Sequence, residues 1–266
     1  RLEALAVPVL RVTRREVDLL APDAAERLGA LLRPGDVLVA AAAIAPCRTP
    51  EMLRDNATLA LTLLRAAEAQ ALAQVVNISS DAVYADAPVP LTEASPAAPG
   101  TLHGAMHLAR EIMFRAAAKA PLATLRPSLL YGAADPHDGY GPNRFRRLAN
   151  RREPIVLFGE GEERRDHVLI DDLAELAARV VLRRSEGVLN VATGDVASFR
   201  DIARMVRDLA GSDAPLRTTP RAGPMPHNGY RPFDIAQCRA AFPDFAYTRL
   251  ADGLAKAQRD AGAAAR

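Results

Sequence analysis

The sequence predicts an α/β protein with a doubly wound, Rossmann-like parallel sheet, followed by a smaller C-terminal lobe. Three observations support this fold class. Apolar runs of strand length show no alternation with polar residues, which is typical of strands buried on both faces. Helical patterns separate these runs, so right-handed crossovers connect parallel strands. The composition then changes after residue 132, where Gly, Pro and Asp become frequent.

The first half of the chain alternates between the two kinds of element. The predicted strands are residues 7–12, 36–43, 74–79 and 122–127, and the predicted helices are residues 23–32, 50–69 and 101–119. Asp23 is a residue type that caps helices. The run 36–43 follows a Pro-Gly turn, and the leucines of 50–69 recur at helical spacing. The proline-rich stretch 85–100 is predicted to be a loop.

The second half contains shorter elements. The predicted helices are residues 143–152, 170–184, 198–210, 235–241 and 250–262, and the predicted strands are residues 155–158 and 188–192. Ser198 is the expected N-cap of its helix. We therefore predict a sheet domain formed by residues 1–132 together with about 170–211. The smaller lobe comprises residues 133–169 and 212–266.

Composition excludes several classes of protein. The 34 basic and 32 acidic residues leave a net charge of +2, and the arginines are scattered, so no nucleic-acid partner is expected. The two cysteines, Cys47 and Cys238, fit no zinc or redox spacing. No apolar run reaches about 18 residues and no signal peptide is visible, so we expect no membrane partner and a cytoplasmic location.

Three predicted strands end at positions where a ligand could bind. In α/β sheets ligands bind at the carboxyl ends of strands, which here are residues 40–43, 79–81 and Pro127. The following helix carries His103 and His107, which share one face because they lie four residues apart. Histidine titrates near neutral pH and suits proton transfer. The same spacing is compatible with a metal site, although the Glu of His-Glu-x-x-His is missing.

The order of these segments resembles the extended short-chain dehydrogenases/reductases, and within them the NAD-dependent epimerase/dehydratase family acting on nucleotide sugars. The resemblance covers nearly the whole chain. It rests on VDLL (17–20), which resembles the acidic strand end that contacts the cofactor adenine. It rests also on VLVAAAAIAP (37–46), VVNISSDAVYAD (75–86), LRPSLLYG (125–132) and GEGEERRDHVLIDDLA (159–174). It implies a cofactor domain, a C-terminal substrate-binding lobe, and a reaction that uses NAD or NADP on a nucleotide sugar or a related sugar.

The resemblance also implies roles for individual residues. His103 and His107 stand in place of the family's catalytic Tyr-x-x-x-Lys, Ser80 aligns with its catalytic Ser/Thr, and Asp81 is a candidate second acid. The implied cofactor contacts are Asp18, Ala41, Ala42, Ala43, Ser79, His107 and Pro127. The implied substrate contacts are Ser80, Asn143, Arg144, Arg165 and Arg231. No metal is part of this interpretation, and family members often form homodimers through their long helices.

The departures from the family leave alternatives open. The chain contains no G-x-x-G-x-x-G, the loop that binds the cofactor pyrophosphate. His107 is shorter than lysine and usually neutral, so a catalytically degenerate protein that binds cofactor or ligand without turnover is one alternative. A metal-dependent lyase or hydrolase using His103 and His107 is a second, and two surface histidines without a role are a third. Ser80 also suits a structural role in a turn or helix cap. Arg165 also suits a surface ion pair.

Overall fold

The computed structural model describes residues 1–135 and 138–264, and these form two compact units. The first unit comprises Arg1–Ala85, Glu93–Pro127 and Ala174–Val191, and the second comprises the other described residues.

The α-helices are α1 (Ala24–Leu31), α2 (Pro50–Glu68), α3 (Leu102–Ala117), α4 (Pro142–Asn150), α5 (Ile170–Arg183), α6 (Phe199–Leu209), α7 (Ala236–Ala241) and α8 (Leu250–Ala264). The strands are β1 (Val37–Ala40), β2 (Gln74–Ile78), β3 (Leu122–Pro127), β4 (Leu129–Tyr131), β5 (Ile155–Phe158), β6 (Arg164–Leu169), β7 (Gly187–Val191), β8 (Val196–Ser198), β9 (Leu216–Thr219) and β10 (Tyr230–Arg231).

The first unit is built on a parallel sheet in the order β1-β2-β3-β7. Its central strand β2 is buried along nearly all of its length, as the unbroken apolar run predicts. The helices α1 and α3 both pack against α2. The core between helices and sheet includes Leu63, Val75 and Phe114. This arrangement confirms the predicted α/β class with a parallel sheet.

Threonine caps set the start of the two long helices. The Thr49 Oγ1 accepts a hydrogen bond from the Met52 amide at 3.3 Å, and Pro50 occupies the first turn of α2, where it loses no bond. The Thr101 Oγ1 accepts from the Gly104 amide at 3.1 Å in the same way. The cap at Thr101 fixes where α3 begins and thereby which residues lie beside the end of β2.

The second unit contains two small sheets. In one, β6 pairs in parallel with β10 and β4 and antiparallel with β8. In the other, β5 pairs in parallel with β9. An apolar core that includes Phe145, Leu157 and Phe199 joins α4, α6 and β5. Ser198 caps α6 by accepting a hydrogen bond from the Asp201 amide at 3.0 Å, which confirms the predicted cap.

Two local predictions were wrong. Residues 7–12 form no strand: Val9 and Leu10 are exposed, and Val12 packs against the core without belonging to a sheet. Residues 17–20 are not a strand end either. Asp23 is the N-cap residue of α1, as predicted, but its side chain makes no capping hydrogen bond.

Other elements differ in extent or were not predicted. The strand β6 was missed because its polar sequence RRDHVL has little of the apolar character on which strand prediction depends. The strand expected at 36–43 ends at Ala40. Residues 192–211, assigned from sequence to the sheet domain, belong to the second unit because α6 packs on α4 and β5. Among the described residues, no helix combines the length and the apolar character needed to cross a membrane.

Candidate functional site

Ser80 and Asp81 lie where β2 ends and a short 3-10 turn (Asp81–Val83) begins. The Ser80 Oγ accepts a hydrogen bond from the Ala82 amide at 3.1 Å and lies 3.4 Å from the Asp81 carboxylate, to which it donates. The capping role weighed for Ser80 is therefore present. The side chain is only half-buried, so its proton can turn from Asp81 to a ligand.

A glycine brings α3 against this turn. A Cβ atom at Gly104 would lie 2.1 Å from the Ala82 carbonyl oxygen, so no larger residue allows the same approach. The approach places His103 and His107 close enough to Asp81 for its carboxylate to favour the protonated form of both imidazoles. The structure thus brings together the four residues predicted to be catalytic.

His103 is half-buried at the start of α3. Its Nδ1 accepts a hydrogen bond from the Cys47 amide at 3.4 Å, so the neutral ring carries its proton on Nε2. Burial lowers the pKa of His103 below its usual value, and the Asp81 carboxylate opposes that shift. At neutral pH the residue is therefore an uncharged imidazole whose Nε2–H is a hydrogen-bond donor.

His107 lies one helical turn further on and is only 6% exposed. Its ring meets that of His103 edge to face, with centroids 4.8 Å apart. Burial, followed by the charges of His103 and Arg110, lowers the pKa of His107 to about 3. The buried Nδ1 has no hydrogen-bond partner among the described residues. His107 therefore carries no positive charge at neutral pH.

Arg110 is a buried cation that the sequence did not single out. Its guanidinium donates to the Asn77 Oδ1 at 2.7 Å and to the carbonyl oxygens of Ala40 and Ala42. Burial lowers its pKa to about 10, so it stays protonated at neutral pH. Arg110 therefore holds the backbone at the carboxyl end of β1, where the predicted cofactor contacts Ala41, Ala42 and Ala43 are exposed.

A buried polar network lies beneath the same edge of the sheet. The Glu111 carboxylate accepts two hydrogen bonds from Arg126, of 2.9 and 2.6 Å. It also accepts a hydrogen bond from the Ser79 hydroxyl. Arg126 also donates to the Tyr84 hydroxyl at 2.8 Å, and Tyr84 donates to Asn190 at 2.6 Å. Ser79 is therefore committed to the interior of the unit rather than to a ligand.

The other predicted contacts lie in separate places. Asp18 accepts hydrogen bonds from Arg14 and from the Leu20 amide, and these lower its pKa. Pro127 is the buried last residue of β3. In the second unit, Asn143 joins the Gly132 amide to Asp135, whereas Arg144 is exposed and 3.9 Å from Asp138.

Arg165 meets a second arginine in the second unit. Arg165 Nη1 and Arg221 Nη1 each lie 3.3 Å from a different oxygen of the Glu163 carboxylate, and all three side chains are mostly buried. The Arg221 Nε is buried and has no partner among the described residues. Two guanidinium groups thus share one carboxylate.

An aromatic ring and a cavity adjoin the arginine pair. The Arg221 guanidinium lies 6.0 Å from the centre of the Phe158 ring, which is 42% exposed. Arg165 also lines a cavity of about 640 Å³. Sequence reasoning missed Arg221, because the signal in TTPRAGP is only a cation in a Pro-Gly loop.

Arg231 does not lie open to a ligand. It is 2% exposed, and its Nη1 lies 2.9 Å from the Asp86 Oδ1.

The metal alternative built on His103 and His107 lacks ligands. In the described part of the chain, no group of three His, Cys, Asp or Glu side chains is arranged to hold a metal ion.

A parallel sheet with Ser80 and Asp81 after the end of β2, and two histidines on the helix beside them, is the architecture of a Rossmann-like α/β protein. The model of the NAD dependent epimerase/dehydratase family matches residues 1–192, and the chain belongs to that family. The predicted resemblance is therefore confirmed.

Individual relatives agree with this assignment. The UDP-glucose 4-epimerase of Corynebacterium glutamicum is 27% identical over 191 residues, 64% of this chain and 58% of the relative. The dTDP-L-rhamnose 4-epimerase of Burkholderia thailandensis is 32% identical over 126 residues, 44% and 34% of the two chains. The chain thus spans little more than half of the first relative and about a third of the second.

The fold is also found in solved structures. The structure of MoeE5 in complex with UDP-glucose and NAD superposes with a TM-score of 0.78 at 24% identity, covering 97% of this chain and 86% of that one. At this identity the likeness concerns the fold alone, and it confirms the predicted Rossmann-like architecture.

Proposed function

We propose that this protein performs an epimerase- or dehydratase-like reaction on a nucleotide sugar with NAD or NADP, with His103 as the acid/base. The observation that supports it most is the cluster of Ser80, Asp81 and His103 at the end of β2, in a chain of this family. In this proposal the first unit binds the cofactor and the second binds the nucleotide sugar. We place the reaction in the cytoplasm, since both cysteines are buried and free.

The first unit has features that fit the nicotinamide end of the cofactor. Ala41, Ala42 and Ala43 are small and exposed after β1, which suits close approach of a planar ring. The Nδ1 of His107 is buried and has no partner among the described residues, so a ribose hydroxyl would reach it only if the side chains around it moved apart. When bound, the cofactor supplies the hydride acceptor and donor. Asp18 is paired with Arg14, so an adenine contact there requires that pair to open.

His103 reaches its acid/base role through a change of tautomer. In the resting ring Nε2–H donates a hydrogen bond to a sugar oxygen, while the only lone pair is on Nδ1, facing Cys47. To take a sugar proton at Nε2, the ring first moves its own proton to Nδ1 and gives up the 3.4 Å bond from Cys47. Because the buried Cys47 amide then has no acceptor, this change costs about 1 to 3 kcal/mol.

The second unit offers a site for the diphosphate. Arg165 and Arg221 hold two guanidinium groups on one carboxylate, Glu163, and guanidinium groups bind phosphate oxygens through paired hydrogen bonds. Phe158 adds an exposed ring on which a nucleobase can stack. These features favour a nucleoside diphosphate sugar over a free sugar.

The test is incubation with UDP-glucose and NAD or NADP, followed by chromatographic separation of epimers and dehydrated products. We expect a product with the wild-type chain and its loss in His103→Ala. Wild-type chain that binds the nucleotide sugar but makes no product would overturn the catalytic proposal. That result would favour the degenerate, ligand-binding alternative, whose supporting observation is the uncharged His107.

We also propose a homodimer formed through α2 and α3. Leu61 on α2 and Ile112 on α3 are large apolar residues that are 40% and 51% exposed. A second copy would bury them. In sedimentation experiments we expect Ile112→Glu to shift the protein to monomer. The control is Leu182→Glu on α5, at a residue 53% exposed, and equal behaviour of both variants would contradict the proposal.

A further inference from the structure

A strained turn in the second unit carries a histidine that the proposed function does not use. His227 and Asn228 have φ values of 52° and 51°, in the left-handed region that residues with a side chain rarely occupy. The cost is about 1 to 2 kcal/mol for a typical residue with a side chain and less for Asn and His, which are enriched in this region. Strained backbone persists only where surrounding contacts hold it, and such turns concentrate at ligand sites.

An ion-pair cluster holds this turn. The Nδ1 of His227 is hydrogen-bonded to the Asp86 carboxylate, and the same carboxylate oxygen lies 2.9 Å from the Nη1 of buried Arg231. The His227 side chain remains 28% exposed. One carboxylate therefore serves two partners, Arg231 and His227, and of these only His227 can change its charge near neutral pH.

The groups that face His227 come from three segments. Burial and the charge of Arg165 lower its pKa, Asp86 raises it, and Arg231 lowers it again. The combined effect keeps the imidazole uncharged at neutral pH. Arg165 is also one of the two arginines that share Glu163, so His227 lies within the electrostatic influence of the proposed diphosphate site.

We propose that His227 takes up a proton when a diphosphate diester binds at Arg165 and Arg221. This inference rests on the proposed nucleotide-sugar function and adds a third, ligand-dependent cation to its anion site. The reason is electrostatic: the two negative charges of the ligand offset the Arg165 charge that opposes protonation. The ligand class is therefore a nucleoside diphosphate sugar bound together with one proton.

Linkage fixes the sign of the effect. A ligand that raises the proton affinity of one group binds more tightly as pH falls between the two pKa values of that group. Affinity can change by at most about tenfold per pH unit for one proton. We therefore expect the dissociation constant to fall as the pH is lowered from 8 towards 5.5.

UDP-glucose is a suitable probe, because a diphosphate diester has no ionisation in this pH range. Its binding to the whole chain, without cofactor, is measured by calorimetry at several pH values in two buffers with different ionisation heats. The wild type should take up a fraction of a proton that grows below pH 7. In His227→Asn, whose new residue tolerates the left-handed backbone, this uptake should disappear.

Three results decide the proposal. The control Arg259→Gln, at an exposed residue of α8, should keep the wild-type proton uptake. Equal uptake in wild type and His227→Asn overturns the inference while leaving the diphosphate site intact. Wild-type protein that does not bind UDP-glucose at any pH overturns the proposed function and this inference with it. If His227→Asn is unstable, His227→Gln is measured in its place with the same expectations.

Discussion

The uncharged state of His107 predicts a specific dependence of stability on pH. Burial first, then the charges of His103 and Arg110, lower its pKa to about 3 in the folded protein, against about 6.5 in an unfolded chain. The unfolded state therefore binds more protons below pH 6.5. Stability contributed by the neutral ring is fully present above that value and is lost as the pH falls towards 3.

The magnitude follows from the size of the shift. Each pH unit within this window costs about 1.4 kcal/mol for one histidine. His167 behaves in the same way, since burial followed by the charge of Arg165 lowers its pKa to about 3 as well. The two residues together give a slope of about 3 kcal/mol per pH unit between pH 6 and 4.

The assay is urea unfolding at pH values from 8.0 to 4.5, with the free energy of unfolding plotted against pH. His107→Gln has no titrating ring and should reduce the slope below pH 6 by about 1.4 kcal/mol per unit. Above pH 7.5 the variant should show the wild-type slope, which is the internal control. An unchanged slope below pH 6 would show that His107 is charged in the folded state, and the argument against a lysine-like role would fail.

Two further predictions concern charged residues. Arg221→Gln should weaken UDP-glucose binding about tenfold to a hundredfold in calorimetry, as expected for the loss of a charged hydrogen bond. The control is Arg217→Gln, at an exposed arginine of β9. Equal losses of affinity in the two variants would refute the diphosphate site. Glu111→Gln should lower the free energy of unfolding by about 3 to 5 kcal/mol, because Arg126 is left buried and unpaired. A loss of less than about 1 kcal/mol in urea unfolding would show that the network tolerates a neutral partner.

The sequence was sufficient for the elements of the first unit that carry their own signals. The apolar run of β2 and the cap and spacing of α3 are local features, so the sequence alone could place Ser80 and His103 at one sheet edge. The approach of α3 to the turn depends on Gly104, which lies within the same motif. Local pattern and tertiary packing agree here.

Where the prediction was incomplete, the decisive contacts join residues far apart in sequence. Arg221 is recognisable only after the fold brings it to Glu163, 58 positions earlier (221 − 163 = 58). Arg231 resembled a phosphate ligand, but its pairing with Asp86 spans 145 positions. Asp86 lies in a proline-rich loop that predicts no contact of any kind. Such pairs have no periodicity for a sequence pattern to detect.

The two histidines of α3 have different chemical capacities in spite of their shared helix face. His103 is half-buried and its tautomer is set by one long hydrogen bond from the Cys47 amide, so it can exchange a proton at a cost of about 1 to 3 kcal/mol. His107 cannot be protonated without charging a buried ring, and Arg110, the cation nearest to it in sequence, is committed to the carbonyls of β1. Neither His107 nor Arg110 is therefore available to stabilise an alkoxide at this sheet edge. Proton abstraction in the proposed reaction falls to the neutral imidazole of His103.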